Sequence, residues 1–250
     1  MNDVTNSAPA IVSRVYVLYT GGTFGMAPDR TTPGHPMRPM EKTVLEESLP
    51  PAGELAKGVE ITLERFHRLL DSSSMTPNDW IEIAQRIEAN YESHDGFIII
   101  QGTDTLAYTA SALSFMLENL GKPVVITGSQ LPLNNARTDA KLNYGHALQI
   151  AGYKASDLPL IPEVIVVFAD KVLRGCRTRK MSASAWTGFD SPNCPPLGEI
   201  GEHVRIFENQ IRPAPPSGLD LQVNAQLVQN VLDISLYPGL RASHLRHILS

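Results

Sequence analysis

Four short apolar runs, at residues 15–18, 97–100, 124–127 and 164–168, set the limits on how this chain folds. Each is rich in β-branched or aromatic residues and too short to be an ordinary helix, so each reads as a buried strand. Phe97-Ile98-Ile99-Ile100 is apolar on both faces, as a central parallel strand requires. Helical signals lie between the runs. Thr76 suits an N-cap, Pro77 the first helical position, and Asp79 approximates a capping box. The helix that follows carries an apolar stripe at Trp80, Ala84, Ile87 and Tyr91. Two more helices are predicted at 106–120, stopped by Gly121 and Pro123, and at 137–151, with Gly152 behind. Such alternation predicts an α/β fold, a mostly parallel sheet with helices on both faces. Right-handed crossovers would then gather the strand ends on one rim.

The other segments are less regular. Residues 26–58 hold six prolines and little periodicity, and read as a long functional loop or a disordered segment. Val59-Glu60-Ile61-Thr62-Leu63 alternates as a short strand does, and 170–190 reads as a polar loop. Six more prolines between 191 and 220 suggest a connecting segment. Beyond it, a strand at 231–236 and a helix at 242–249 suggest the start of a second α/β domain. One strand and one helix cannot bury their own apolar faces, so this end reads as incomplete. The expected division is a catalytic domain over 12–205, a linker over 206–228, and the beginning of a truncated second domain over 229–250.

Composition excludes several classes of function. With 42% hydrophobic and 19% charged residues, the 250-residue chain is that of an ordinary globular protein. A net charge of −5 argues against nucleic-acid binding. The one basic cluster, Lys171, Arg174, Arg177, Arg179 and Lys180, reads first as a solvated loop. Cys176 and Cys194 are too few for a disulfide framework and are expected to be free thiols. Residues 1–10 lack the pattern of a signal peptide, and no apolar run is long enough to span a bilayer. The expected location is therefore the cytoplasm, with no membrane partner. His244 and His247 are three apart but have no thiolate or carboxylate beside them, so no metal site is expected. Phosphate and dinucleotide cradles lack their glycine patterns, and no G-x-S-x-G elbow is present.

Candidate chemistry gathers where the strands end, just where ligands sit in open α/β sheets. Gly21-Gly22 follows the first strand and lets the backbone turn sharply before Thr23. Thr103 and Asp104 follow the strand at 97–100, and Lys180 lies in the loop after 164–168. Threonine is a weak nucleophile that needs a base; a lysine oriented by a carboxylate can be one. Asp71, Ser72 and Ser73 precede the capped helix and suit a substrate carboxylate. Each also has an ordinary structural role open to it: Thr103 and Asp104 as helix caps, Ser72 and Ser73 as turn residues.

Thr20-Gly21-Gly22-Thr23-Phe24-Gly25, Gln101-Gly102-Thr103-Asp104-Thr105, Asp71-Ser72-Ser73-Ser74-Met75-Thr76-Pro77 and the stretch 175–180 together resemble the bacterial-type L-asparaginases. Residues 107–117 strengthen the likeness to the cytoplasmic type I members, and it runs from about residue 12 to the end. The resemblance implies hydrolysis of L-asparagine, a small-molecule substrate, to L-aspartate and ammonia without metal or cofactor. It implies Thr23 as the nucleophile that forms a threonine acyl-enzyme. Thr103, Asp104 and Lys180 would form a second triad, and Asp71, Ser72, Ser73, Thr103 and Asp104 would bind the substrate. It also implies a homodimer or homotetramer where a full second domain is present, and this chain stops partway into such a domain. The family's loop tyrosine is missing; His35 is nearest to its place in context. Two other readings stay open: the amidase subunit of a tRNA-dependent amidotransferase, and a non-catalytic remnant that binds amino acids. Asparagine and glutamine differ by one methylene, and these residues do not separate them.

Overall fold

The computed structural model describes residues 12–51 and 56–246. Its centre is an eight-stranded sheet whose parallel part comprises β1 (Ser13–Gly21), β4 (Val59–Leu70), β5 (Gly96–Ile100), β7 (Val124–Thr127) and β8 (Val164–Phe168). In space these lie in the order β4-β1-β5-β7-β8, so all four of the apolar runs are parallel neighbours. The other edge is antiparallel: β9 (Lys171–Arg174), β12 (Gly198–Ile200) and β13 (Val204–Ile206) continue outward from β8.

Alternation along each strand divides the apolar residues between two cores. Val15, Val17 and Tyr19 of β1, with Ile98 and Ile100 of β5, face one core. There they meet α1 (Lys42–Ser48) through Leu45 and α4 (Ala140–Ala151) through Tyr144 and Leu148. Tyr16 and Leu18, with Phe97 and Ile99, face the other. That side is closed by α2 (Pro77–Asn90) and α3 (Leu106–Met116), through Ile83, Ile87 and Leu113. Helices on both faces follow directly from strands that are apolar on both faces.

The start of α2 is as its sequence predicts. The Asp79 carboxylate accepts from the Thr76 N–H and hydroxyl, each at 2.7 Å, with Pro77 in the first turn.

Several expectations are corrected. The proline-rich stretch after β1 is not structureless: β2 (Met26–Pro28) and β3 (Met37–Pro39) pair as a hairpin, and α1 follows. The strand read at 59–63 runs on to Leu70. The helix read at 106–120 stops at Met116, and β6 (Leu117–Glu118) pairs with β14 (Gln222–Val223). The helix read from 137 begins at Ala140, after a turn. The polar loop 170–190 contains β9 and the short pair β10 (Arg179–Lys180) and β11 (Phe189–Asp190).

At the far end, residues 231–236 form no strand; Val231 and Leu236 are 77% and 83% exposed. A strand needs an edge to pair with, and none of the described strands pairs with this segment. The last helix described is Ala242–Arg246, and the rest of the predicted 242–249 helix, with His247, lies outside the described residues.

The order of the parallel strands places a switch point at β1 and β5. The chain leaves β1 for β4 on one side, then crosses back to β5, β7 and β8 on the other. Ligands of open α/β sheets bind beyond the strand ends at such a point.

Candidate active site

Three strand ends meet at this switch point, and glycine allows them to. Gly21 and Gly22 have φ of +131° and +83°. A Cβ on Gly21 would stand 2.2 Å from the Leu70 carbonyl oxygen, and one on Gly22 would stand 2.3 Å from the Gly102 Cα. Any side chain at either position would push β1 away from β4 or β5. The Thr20 hydroxyl donates to the Ile100 carbonyl at 3.1 Å and fixes the end of β1 against β5. Thr23 then opens a single 3₁₀ turn, Thr23–Gly25, and is exposed.

Asp71 reaches the same rim because β4 bulges. Tyr19 pairs with Arg65, yet two residues later Gly21 pairs with Leu70, so β4 carries extra residues there. Asp71 caps the 3₁₀ turn Ser72–Ser74: its Oδ1 accepts from the Ser73 N–H at 3.0 Å and from the Ser73 hydroxyl at 2.9 Å. Those two bonds, the backbone one foremost, hold the Asp71 carboxyl below the usual carboxylate range. Ser72 is buried against the end of β5. Its hydroxyl accepts from the Asp104 N–H at 3.2 Å, and its carbonyl accepts from the Thr105 hydroxyl at 2.7 Å.

Lys180, on β10, approaches from the antiparallel side of the molecule. Its Nζ lies 2.9 Å from Thr103 Oγ1 and 2.7 Å from Asp104 Oδ1. The lysine side chain is 18% exposed and the aspartate 60%. The amine is therefore sheltered behind two groups that face the solvent side.

A hollow of about 320 Å³ collects these parts. Gly21, Gly22 and Thr23 wall one side, Asp71 and Ser72 a second, and Gly102, Thr103 and Asp104 a third, with Met26, Pro39, Leu69 and Leu70 between them. Two predicted residues stand off the wall. Lys180 sits behind Thr103 and Asp104, and the Ser73 hydroxyl is already bonded to Asp71. His35, with φ +46°, lies in the hairpin turn, its Nδ1 3.4 Å from the Asp29 carbonyl oxygen and outside this hollow. Met26, Pro39, Leu69 and Leu70 carry no chemical signal in the sequence. Only the continuation of β4 past Leu63 brings the leucines here.

Among the described residues no group of three or more His, Cys, Asp or Glu side chains is placed to hold a metal ion. Cys176 and Cys194 are free thiols. No described helix is long and apolar enough to cross a membrane.

Known proteins share this sequence and fold. L-asparaginase 1 of Escherichia coli is 43% identical over 239 residues, which cover 94% of this chain and 67% of that protein. The 60 kDa lysophospholipase of Mus musculus is 39% identical over 254 residues, covering 94% of this chain but 44% of its own length. The crystal structure of L-asparaginase I from Vibrio cholerae superposes with a TM-score of 0.80 at 39% identity, covering 95% of this chain and 69% of that one. The family described as Asparaginase, N-terminal, matches residues 14–212. That match takes in β1 through β13, and with them Thr23, Asp71, Thr103, Asp104 and Lys180, so this chain belongs to the asparaginase family.

Proposed function

We propose that the chain hydrolyses L-asparagine to L-aspartate and ammonia through an acyl-enzyme on Thr23. We further propose that residues 12–205 form the catalytic domain, 206–228 a linker, and 229–250 the beginning of a second domain. One observation carries the reading: a hydroxyl, an amino-acid-sized polar hollow and a Thr–Lys–Asp relay converge at one strand switch point. Asp71, held ionised, pairs with the substrate's α-ammonium. The Ser72 hydroxyl, which lines the hollow and accepts from the Asp104 N–H, donates its proton to the α-carboxylate. The side-chain amide then faces Thr23.

Thr23 Oγ attacks the amide carbon, and its proton leaves with the nitrogen as ammonia. Water cleaves the resulting ester. Thr103, in contact with Lys180 Nζ, relays the proton, and Asp104 orients the amine. The Ser73 hydroxyl, predicted to bind substrate, acts through Asp71 in this arrangement.

The test is Thr23→Ala beside Thr103→Ala, with release of ammonia measured from asparagine and glutamine. Thr23→Ala is expected to lose at least a thousandfold in kcat with its circular dichroism unchanged. An aspartyl adduct on Thr23 should be trapped by rapid acid quench of the unmodified chain. Retained turnover in Thr23→Ala overturns the assignment.

A further inference from the structure

Thr23 stands between two hollows. The polar one just described lies on one side. On the other, a second hollow of about 560 Å³ is walled by Met26, Pro28 and Met37 of the β2–β3 hairpin and by Gln130, Leu131 and Pro132 of the loop after β7. The two share Thr23 and Met26. At about 30 Å³ per water, the polar hollow alone has room for a free amino acid. The second hollow is larger still, and its lining is mostly apolar, which a departing ammonia does not need.

This second hollow is fixed in place relative to Thr23. The Leu133 N–H donates to the Phe24 carbonyl at 2.9 Å, and the Met40 N–H donates to the Gly25 carbonyl at 2.8 Å. The loop wall is thus bonded to the middle of the nucleophile's turn and the hairpin wall to its last residue. The Asp139 carboxylate accepts from the Gln130 and Leu131 N–H groups at 2.9 to 3.1 Å and holds the loop from behind. The Gln130 side-chain amide donates to the Ala185 carbonyl at 2.9 Å, and Asn134 and Asn135 are, with Thr23, the other polar residues of a lining whose surface is mostly apolar.

A nucleophile attacks a carbonyl between the acyl part of the substrate and its leaving group. With the amino-acid head in the polar hollow, the amide nitrogen is directed across Thr23 into the apolar one. We infer that this hollow is a leaving-group subsite for an apolar substituent on the amide nitrogen, so that N-alkyl and N-benzyl β-amides of L-aspartate are substrates. The inference rests on the head-group placement proposed above. The bond changes balance without a further reactant. The Thr23 Oγ–carbon bond forms, the carbon–nitrogen bond breaks, and the nitrogen departs as the primary amine carrying the threonine proton. Water then releases L-aspartate and restores the hydroxyl.

The experiment measures aspartate release from L-asparagine and from N4-benzyl-L-asparagine by the full chain and by its Met37→Asp and Leu131→Asp variants. It adds calorimetric binding of both compounds to Thr23→Ala, with and without Met37→Asp. Burial of the ring is expected to tighten binding about tenfold over asparagine. Each aspartate is expected to lower kcat/KM for the benzyl amide at least tenfold and to change that for asparagine less than twofold. Asparagine turnover without benzyl amide turnover overturns the subsite, as does an equal loss for both substrates. If neither compound turns over, the catalytic reading fails. In that case the binding ratio still decides: tenfold tighter binding that Met37→Asp removes sustains the subsite, and equal binding sinks it.

Discussion

The Tyr19 hydroxyl donates at 3.3 Å to the Gly22 carbonyl, one bond before Thr23, and the Gly25 N–H is directed at the phenol oxygen itself. One fully buried phenol thus joins both ends of the turn that presents the nucleophile. Burial pushes its pKa up to about 12, against smaller opposing effects of Arg65 and Gly25, so it remains a donor at neutral pH. The sign follows. The unfolded phenol ionises near 10 and the folded one near 12, so its contribution to stability is full below about pH 10 and is lost as pH rises toward 12. Tyr19→Phe keeps the ring and removes only the tether. We expect kcat to fall about tenfold, the worth of one hydrogen bond of ~1.4 kcal/mol, with KM within twofold. Equal changes in kcat and KM, or none, would reject a positioning role. In the sequence Tyr19 is only an aromatic strand residue, because its role depends on what its hydroxyl meets after the chain turns. Thr23, Thr103 and Asp104 are different. Each sits beside a turn signal at a strand end, and topology carries them to the rim; Asp71, which precedes a capped helix, reaches it only through the extension and bulge of β4. Ser73 shows the limit of that reasoning, since residue type does not reveal that its hydroxyl is taken by its neighbour.

The β2–β3 hairpin illustrates why prolines mislead at the scale of an element. Pro28 and Pro39 sit where a two-stranded ribbon can spare an N–H, and Pro39 and Pro28 pair with Met26 and Met37 in register. The turn between is organised by Asp29, whose carboxylate accepts from the Thr31 N–H at 2.9 Å, the Thr31 hydroxyl at 2.6 Å and the Thr32 hydroxyl at 2.7 Å. Those hydroxyls, with the Thr31 N–H next, pull its pKa down to about 2; Arg38, 3.2 Å away, adds a smaller share. A depressed carboxylate stabilises above the unfolded value and loses that contribution as pH falls through the folded one. The hairpin turn should therefore hold from neutral pH through 4 and open only toward pH 2. Following the Thr31 amide resonance against pH tests this; a midpoint near 4 would show that Asp29 does not organise the turn. Asp29→Ala should raise KM for asparagine several-fold, since this hairpin carries Met26 and Pro39 to the site. The hidden half of β4 has another cause. Glu64, Arg65 and Arg68 interrupt its second half because it is an edge strand, and Glu64 spends its carboxylate on Tyr16, at 2.5 Å, and on Arg86. Alternation is lost from the sequence exactly where side chains bond across the surface instead of packing.

Across the whole molecule, β1, β5, β7 and β8 are readable because each is a short run that is apolar on both faces. The antiparallel margin is not, because β9, β12 and β13 are three or four residues long and mix charged with apolar side chains, and the stretch beyond β13 is not, because its partners lie far away in the chain. Leu117 and Glu118, read as the end of a helix, pair with residues more than a hundred positions on. Glu163 makes another such connection. Its side chain is 5% exposed, and both its oxygens receive Arg174 of β9, at 2.6 and 3.1 Å. It also accepts from the Arg212 N–H at 2.8 Å, while Arg174 donates to the Gln210 carbonyl at 2.6 Å. One buried carboxylate thereby ties the strand entering β8, the antiparallel margin and the segment after β13. Glu163→Ala leaves the Arg174 guanidinium without its partner, and removing one side of a buried pair costs about 3–5 kcal/mol. The exposed Arg212 guanidinium, 3.7 Å from Glu163, adds little to that figure. Urea unfolding should show the full loss for Glu163→Ala and a smaller one for Arg174→Ala with Glu163→Ala already in place, because the second change then removes an unpaired charge. Losses that simply add would mean that the two side chains do not work as a pair. Asparagine turnover at low temperature should survive in the folded fraction of either variant, since neither residue lines the hollow beside Thr23.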